Sequence, residues 1–272
     1  MTFRLDFMCV GAAKAGTTWL CHNLRQHPRI FICADKELHY FNQYLPENSQ
    51  KPNPNYQKSL TWYHQFFEAV TPDQLTADFS TSYLKYPNCA KDLFSYNPQL
   101  KIIMILREPI ERMLSHYYFL IQRNIIPPQN IEAALKNHPH ILENSLYGQQ
   151  LKNYETFFPK EQIKVLWYED IEQCPQALIN EVTDFLNIEK FAPKDLNKKI
   201  NVTQYTPKNP LSKIIHKAKK IAGLTNEKQQ KNNRKEILTN PLKTELKSYF
   251  YEDICTLEKI ANKDLSSWKN TI

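Results

Sequence analysis

The chain has 272 residues, 42% of them hydrophobic, with 17 prolines and only 4 glycines, a composition that can bury one substantial core and does not fit a flexible or low-complexity protein. Its formal net charge of +7 is unevenly placed, because residues 201–272 carry 14 Lys and Arg against 7 Asp and Glu, while residues 1–200 carry 21 of each. No window approaches about 18 uncharged apolar residues, and MTFRLDFMCV is broken by Arg4 and Asp6, so neither a membrane span nor an export signal is expected. The six cysteines include no C-x-x-C pair; reduced thiols and a cytoplasmic location are the expectation.

In chain order, the apolar run over residues 4–10 predicts a buried strand, and Thr17 to Gln26 a helix. Weaker strands are expected near 29–33 (RIFIC) and 74–79 (QLTADF), on either side of a Pro- and Asn-rich loop at 43–60 and a helix from Trp62 to Val70. KIIMIL, 101–106, predicts a buried strand, followed by a helix over Ile110–Gln122, a loop at 123–130 and a helix over Ser145–Phe158. QIKVLWY, 162–168, then predicts a strand, and Pro175–Leu186 a helix whose Leu178, Ile179, Val182, Phe185 and Leu186 share one face. Such alternation predicts one α/β domain over residues 1–272, with a central parallel sheet flanked by helices. Its core spans about 4–190, and a basic, helical C-terminal part spans about 201–272.

Strand, tight turn and helix start coincide at VGAAKAGTTWL, residues 10–20. A turn of this kind aims backbone N–H groups and a helix dipole at one point, as a phosphate site requires. The stretch departs from G-x-x-x-x-G-K-[ST]: Thr17 follows Gly16, and the lysine, Lys14, lies inside the turn. KIIMIL runs into Arg107 rather than an acidic Mg²⁺ ligand, so side-chain cations would have to balance the ligand's charge, with no metal. Arg107 stands at a strand's C-terminal end with Ser115 in the helix that follows, and a guanidinium and a hydroxyl can together clamp a phosphate. The plainer reading of Arg107 is an ion pair with Glu108 or Glu111. In ICADKELHYFN, Glu37 and His39 follow the second strand, and either could be a general base. His39, two residues on from Glu37, is expected to point to the opposite side.

These stretches, in this order, resemble the sulfotransferases that use 3′-phosphoadenosine 5′-phosphosulfate (PAPS), over about residues 5–190, and the carbohydrate and bacterial type more than the cytosolic aryl type. GAAKAGTTWL resembles that family's 5′-phosphosulfate loop, G-x-x-K-x-G-T-T, and LREPIERMLSHYY its 3′-phosphate motif, R-x-P-x-x-R-x-x-S-x-Y. KELHYFN resembles the segment bearing a catalytic glutamate, and QIKVLWYEDI a late strand of the family. The resemblance implies a P-loop-like nucleotide-binding core with PAPS as co-substrate. Lys14 would meet the oxygen bridging phosphate and sulfate. The amides of Ala15, Gly16, Thr17 and Thr18, with both threonine hydroxyls, would hold the 5′-phosphate, and Arg107 and Ser115 the 3′-phosphate. Trp19 and Tyr168 would lie against adenine, although Trp19 also reads as plain core. Asp78 and Phe79, in ADFSTSYL, stand where glycan-modifying members often have Glu-Lys, and the glycine-rich R-K-G-x-x-G loop of the cytosolic branch is missing. NVTQYTPKNPLSK, with Lys208 or Lys213, is the substitute expected to close over the 3′-phosphate.

The reaction implied is in-line transfer of a sulfuryl group to a hydroxyl of a polar acceptor, a small natural product or carbohydrate, with Glu37 as base. The acceptor would enter over loops 43–60 and 123–142. A nucleotide or small-molecule kinase would need Mg-ATP. A non-catalytic nucleic-acid or anion binder would use the basic tail, would weaken steeply with salt and would not need Lys14 or Glu37. No nucleic-acid partner is expected, and no interface is singled out.

Overall fold

The computed structural model describes residues 3–46, 48–194, 196–197 and 237–270. In chain order it contains β1 (Phe7–Gly11), α1 (Thr17–Leu24), β2 (Ile30–Ile32), β3 (Tyr44–Leu45), β4 (Asn48–Pro52), α2 (Leu60–His64), β5 (Leu75–Phe79), α3 (Pro87–Tyr96), β6 (Lys101–Leu106) and α4 (Pro109–Gln122). There follow α5 (Ile131–Asn137), α6 (His140–Glu143), α7 (Tyr147–Glu155), β7 (Ile163–Trp167), α8 (Tyr168–Gln173), α9 (Pro175–Leu186), α10 (Asn240–Ala261) and α11 (Ser266–Lys269).

Five strands form one parallel sheet in the order β2-β5-β1-β6-β7. Side chains alternate across its faces, as the period of two requires. Phe7, Cys9, Ile103 and Ile105 face α1 and α9 through Leu20, Leu24, Leu178, Ile179 and Val182. Met8, Val10, Ile102, Met104 and Leu106 face the larger core with α3, α4, α7 and α10. Strands covered on both faces read as unbroken apolar runs, which is why KIIMIL is so plain in the sequence.

Beside the central strand the chain changes direction. From β1 it leaves towards β2, and from the neighbouring β6 towards β7. Loops departing in opposite directions open a crevice beyond the C-terminal ends of β1 and β6, where open α/β sheets bind ligands.

One expectation needs correction. The segment 43–60 is not loop throughout: β3 and β4 pair antiparallel, Tyr44 with Pro52 and Leu45 with Asn48. So short a hairpin carries no alternating apolar pattern to announce it. The helical C-terminal part is present in α10, which buries Leu242, Leu246, Phe250, Ile254 and Leu257 in the main core. It is fastened to α7 by Asp253, whose carboxylate accepts from the amides of Gly148 (2.8 Å) and Gln149 (2.9 Å). Lys208, Lys213 and most of the basic tail lie outside the described residues. All six cysteines carry free thiols. Among the described residues, no helix is long and apolar enough to cross a membrane, and no group of three His, Cys, Asp or Glu side chains could hold a metal ion.

Candidate active site

The turn after β1 is built as its sequence suggests. Gly11 lies where a Cβ would come 2.7 Å from Leu84 Cβ and 3.0 Å from Thr81 O. The Ala12 amide donates to Ile105 O (2.8 Å), tying the turn to β6. Two residues take left-handed backbone conformations, Lys14 at φ 72° and Gly16 at φ 97°. At Gly16 a Cβ would also overlap the Ile171 side chain and stand 3.2 Å from Tyr168 Cδ2, so only glycine satisfies both demands. Gly16 is the N-cap of α1, no side chain caps the helix, and its first turn contains no acid. The Ala15 amide, expected to meet phosphate, is taken up inside the turn by Ala12 O (3.2 Å), and the first amide of α1 to bond back is that of Leu20, to Gly16 O (3.1 Å). Amides at a helix start, here those of Thr17 to Trp19, favour an anion. Lys14 turns towards α4, its Nζ 4.3 Å from the centre of the Phe119 ring.

At the neighbouring strand end, Glu108 caps α4 by accepting from the amides of Ile110 (3.1 Å) and Glu111 (2.7 Å). Of the two ion pairs open to Arg107, the structure makes the one with Glu111 (3.1 Å). The guanidinium also lies 4.4 Å from the centre of the Tyr168 ring. Ser115 is buried one helical turn beyond Glu111, on the same face of α4. Arg112, also on α4, is completely buried and donates to Ser145 Oγ and Ile141 O. Burial draws its guanidinium down to about 10. Trp19 is 5% exposed within the second core and donates from its indole to Leu196 O (3.1 Å). Its surroundings are those of a core residue, whereas Tyr168 faces Arg107.

The third component stands beyond β5, on the other side of β1. The Glu37 amide donates to Phe79 O (3.0 Å) and the Ser80 amide to Cys9 O (3.2 Å), so the end of β5 joins the base segment to the central strand. Glu37 and His39 do not point to opposite sides. Two residues apart, they would share a face even in an extended segment; both in fact have positive φ, 69° and 52°, and the coiled segment brings His39 Nε2 to 3.3 Å from Glu37 Oε2. The other carboxylate oxygen pairs with Lys36, a partner not singled out from the sequence although it adjoins Glu37. Burial raises the Glu37 carboxyl, but the His39 hydrogen bond and the Lys36 ammonium outweigh it and hold the group at about 2. Behind the imidazole, Nδ1 meets Ser82 Oγ (2.7 Å), which accepts from Asn42 Nδ2 (2.6 Å).

Asp78 is fully buried under this loop. Its carboxylate accepts from the hydroxyls of Tyr63 (2.9 Å), Tyr83 (2.8 Å) and Ser80 (2.8 Å). Burial pushes it above the usual range, against the pull of those donors. Phe79, where a lysine stands in many glycan-modifying members, is buried core. The polar residues of ADFSTSYL are the one mark in the sequence of this assembly.

Comparison with known proteins gives a consistent picture. Residues 4–262 match the sulfotransferase domain family. The membrane-associated sulfotransferase kil1 of Dictyostelium discoideum is 26% identical over 295 residues, covering 75% of this chain and 60% of that protein. Human heparan sulfate glucosamine 3-O-sulfotransferase 5 is 26% identical over 192 residues, covering 66% of this chain and 52% of that one. The chain thus spans between half and three fifths of the length of these relatives. A sulfotransferase structure from Alicyclobacillus acidocaldarius shares the fold, with a TM-score of 0.74 at 24% identity over 98% of this chain and 100% of its own.

Proposed function

This chain belongs to the sulfotransferase domain family, and from that premise we propose that it moves a sulfuryl group from PAPS to a hydroxyl of a polar acceptor. What chiefly supports this reading is convergence: Lys14 and the α1 N-terminus after β1, Arg107 after β6, and Glu37 beside the end of β5. These are three adjacent strands whose C-terminal ends border one crevice.

In this reading the first-turn amides of α1, with Thr17 and Thr18, hold the 5′-phosphate. Arg107 and Ser115 hold the 3′-phosphate, and Tyr168 lies beside the base. The acceptor oxygen attacks sulfur in line, the bond from sulfur to the bridging oxygen breaks, and adenosine 3′,5′-bisphosphate leaves. Charge growing on the departing phosphate meets Lys14 and the loop amides. Held at about 2, Glu37 is ionised at neutral pH and is a weak base in the free protein. Proton transfer therefore comes late, once bonding to sulfur has acidified the acceptor hydroxyl. His39, in contact with Glu37, makes the two act as a pair.

The heparan sulfate relatives favour a carbohydrate acceptor, while the buried Phe79 departs from their pattern and leaves a small polar molecule in the same class. The free thiols fit a reducing compartment, and we place the reaction in the cytoplasm on that ground. Thermal unfolding with adenosine bisphosphate tests the proposal. At 100 times its Kd, a ligand should stabilise by about 2.7 kcal/mol. Stabilisation by Mg-ATP but not by the bisphosphate would overturn it in favour of a kinase.

A further inference from the structure

The base segment lacks regular secondary structure, yet two of its residues, Glu37 and His39, occupy left-handed backbone conformations. Each costs on the order of 1 kcal/mol and persists only where surrounding contacts determine it. On the carbonyl side they come from Asn53 Nδ2 (2.6 Å) and the Asn42 amide (3.2 Å) to His39 O and from Asn55 Nδ2 (2.9 Å) to Leu38 O. On the amide and ring side three come from residues 79–82. The Phe79 carbonyl accepts from the Glu37 amide (3.0 Å). Ser80 Oγ accepts from the His39 amide (3.1 Å), and Ser82 Oγ meets His39 Nδ1 (2.7 Å).

Two of the three are hydroxyls whose direction must be set: Asn42 Nδ2 donates to Ser82 Oγ (2.6 Å), and Asp78 does the corresponding task for Ser80. Donating to Asp78 Oδ1 (2.8 Å) turns its lone pairs towards His39 N–H. The remaining Asp78 oxygen is held by Tyr63 and Tyr83. A fully buried carboxylate fixed by three hydroxyls is expensive to desolvate, and a hydrophobic residue of similar size would fill a strand end more cheaply. Here it orients a hydroxyl that holds the loop above.

We propose that Asp78 is a positioning residue for the base: through Ser80 it fixes the His39 backbone, and so holds the imidazole against the Glu37 carboxylate. The inference rests on the reading of Glu37 as the base, and it assigns a task to the residue standing where glycan-modifying relatives of the resemblance carry a glutamate. Ser80→Ala removes the acceptor for His39 N–H while leaving Asp78 its two tyrosine donors. Tyr63→Phe removes one donor from Asp78 without touching the route to His39, and so matches the structural lesion.

The experiment uses the full chain and two readouts that need no acceptor: calorimetric binding of adenosine 3′,5′-bisphosphate, and pH titration of the Glu37 carboxyl and His39 ring by NMR. Ser80→Ala should keep bisphosphate affinity within about twofold and raise the Glu37 midpoint by a pH unit or more from about 2. Ser80→Thr should restore it, and Tyr63→Phe should leave it in place. Asp78→Asn, if it folds, should behave as Ser80→Ala does. An unmoved Glu37 midpoint in Ser80→Ala, or an equal movement in Tyr63→Phe, would overturn the positioning role. Failure of the unsubstituted chain to bind the bisphosphate would instead count against the proposed function, so the two failures are distinguishable.

Discussion

The two sides of the crevice are built differently. On the side proposed for the nucleotide, Gly16 and Glu108 sit at the starts of the helices that follow β1 and β6, and the groups proposed to meet phosphate are backbone amides, Lys14, Arg107 and the hydroxyls of Thr17, Thr18 and Ser115. On the base side, Glu37 and His39 lie on a coiled segment with positive φ, held by side chains from the end of β5. Phosphate recognition by strand ends and helix starts needs only regular elements in the right order. Placing a carboxylate against an imidazole needs a specific network. Each side should therefore fail separately, and the predictions test that separation.

The largest effect is expected at the base. Glu37→Gln keeps the shape and the His39 contact but cannot take a proton, and turnover of PAPS with an acceptor should fall about 10²–10⁴-fold. Bisphosphate affinity measured by calorimetry should not change. Near-normal turnover would move the role to His39, and a parallel loss of affinity would show that the two sides are not separate.

The converse comes from Arg107→Ala. Hydrogen bonds to charged groups contribute about 1.5–3 kcal/mol each, so bisphosphate affinity should drop roughly 10–100-fold. The loss should be partly offset because Glu111, which pairs with Arg107 in the free protein, need no longer be displaced. The Glu37 NMR titration should be unchanged.

The same contrast explains what was legible in the sequence. KIIMIL and Pro175–Leu186 match β6 and α9 residue for residue, because buried parallel strands and one-sided helices write their periods into the chain. The Gly11 turn and Arg107 fall where the sequence reading put them for the same reason. The fold of the base segment was not legible, since a Glu gives no sign of a positive φ and a His, although enriched there, more often takes ordinary conformations. The expectation that Glu37 and His39 face opposite sides misjudged the spacing, because residues two apart share a face when extended, and the structure brings the two within 3.3 Å. Asp78, Ser80 and Ser82 look like the polar end of a strand until their partners are known: His39 and Asn42, some forty residues earlier, for the serines, and Tyr63 and Tyr83 for Asp78. Helix α3 was missed too, although Pro87 at its start and buried Cys89, Ala90, Leu93 and Tyr96 form a helical pattern that the absence of a long apolar run obscured.

A smaller effect is expected from Gly16→Ala. A left-handed alanine costs about 1–2 kcal/mol, and its methyl would press on Ile171 and Tyr168. Denaturant unfolding should show a loss of about 2 kcal/mol. Because Tyr168 carries the Arg107 contact, bisphosphate affinity should fall with it while the Glu37 titration stays put. Unchanged stability would mean that the turn is not held as tightly as its contacts require.

The smallest effect separates the two sides by pH. His116 and His140 lie along the seam of α4 and α6, their ring centres 5.7 Å apart. Burial lowers both, His140 to about 4 and His116 well below the usual range, and the facing Arg112, Lys85, Lys14 and His138 add to the effect. A histidine whose folded pKa is depressed supports the fold fully above the unfolded value near 6.5. That support fades as pH falls towards the folded value, because the unfolded chain takes the proton first. Each should therefore cost about 1 kcal/mol of stability between pH 6.5 and 5.5. Glu37, held at about 2, keeps its contribution above the ordinary carboxylate range and loses it only as pH drops from about 4.5 towards 2. Acid should thus loosen the α4–α6 seam behind Ser115 while the Glu37–His39 pair is still intact. Denaturant midpoints measured from pH 7 to 5 should fall, and His140→Gln should flatten that slope without altering the Glu37 titration. A slope unchanged in His140→Gln would remove the histidine seam as the acid-sensitive element and place the weakness elsewhere on the nucleotide side.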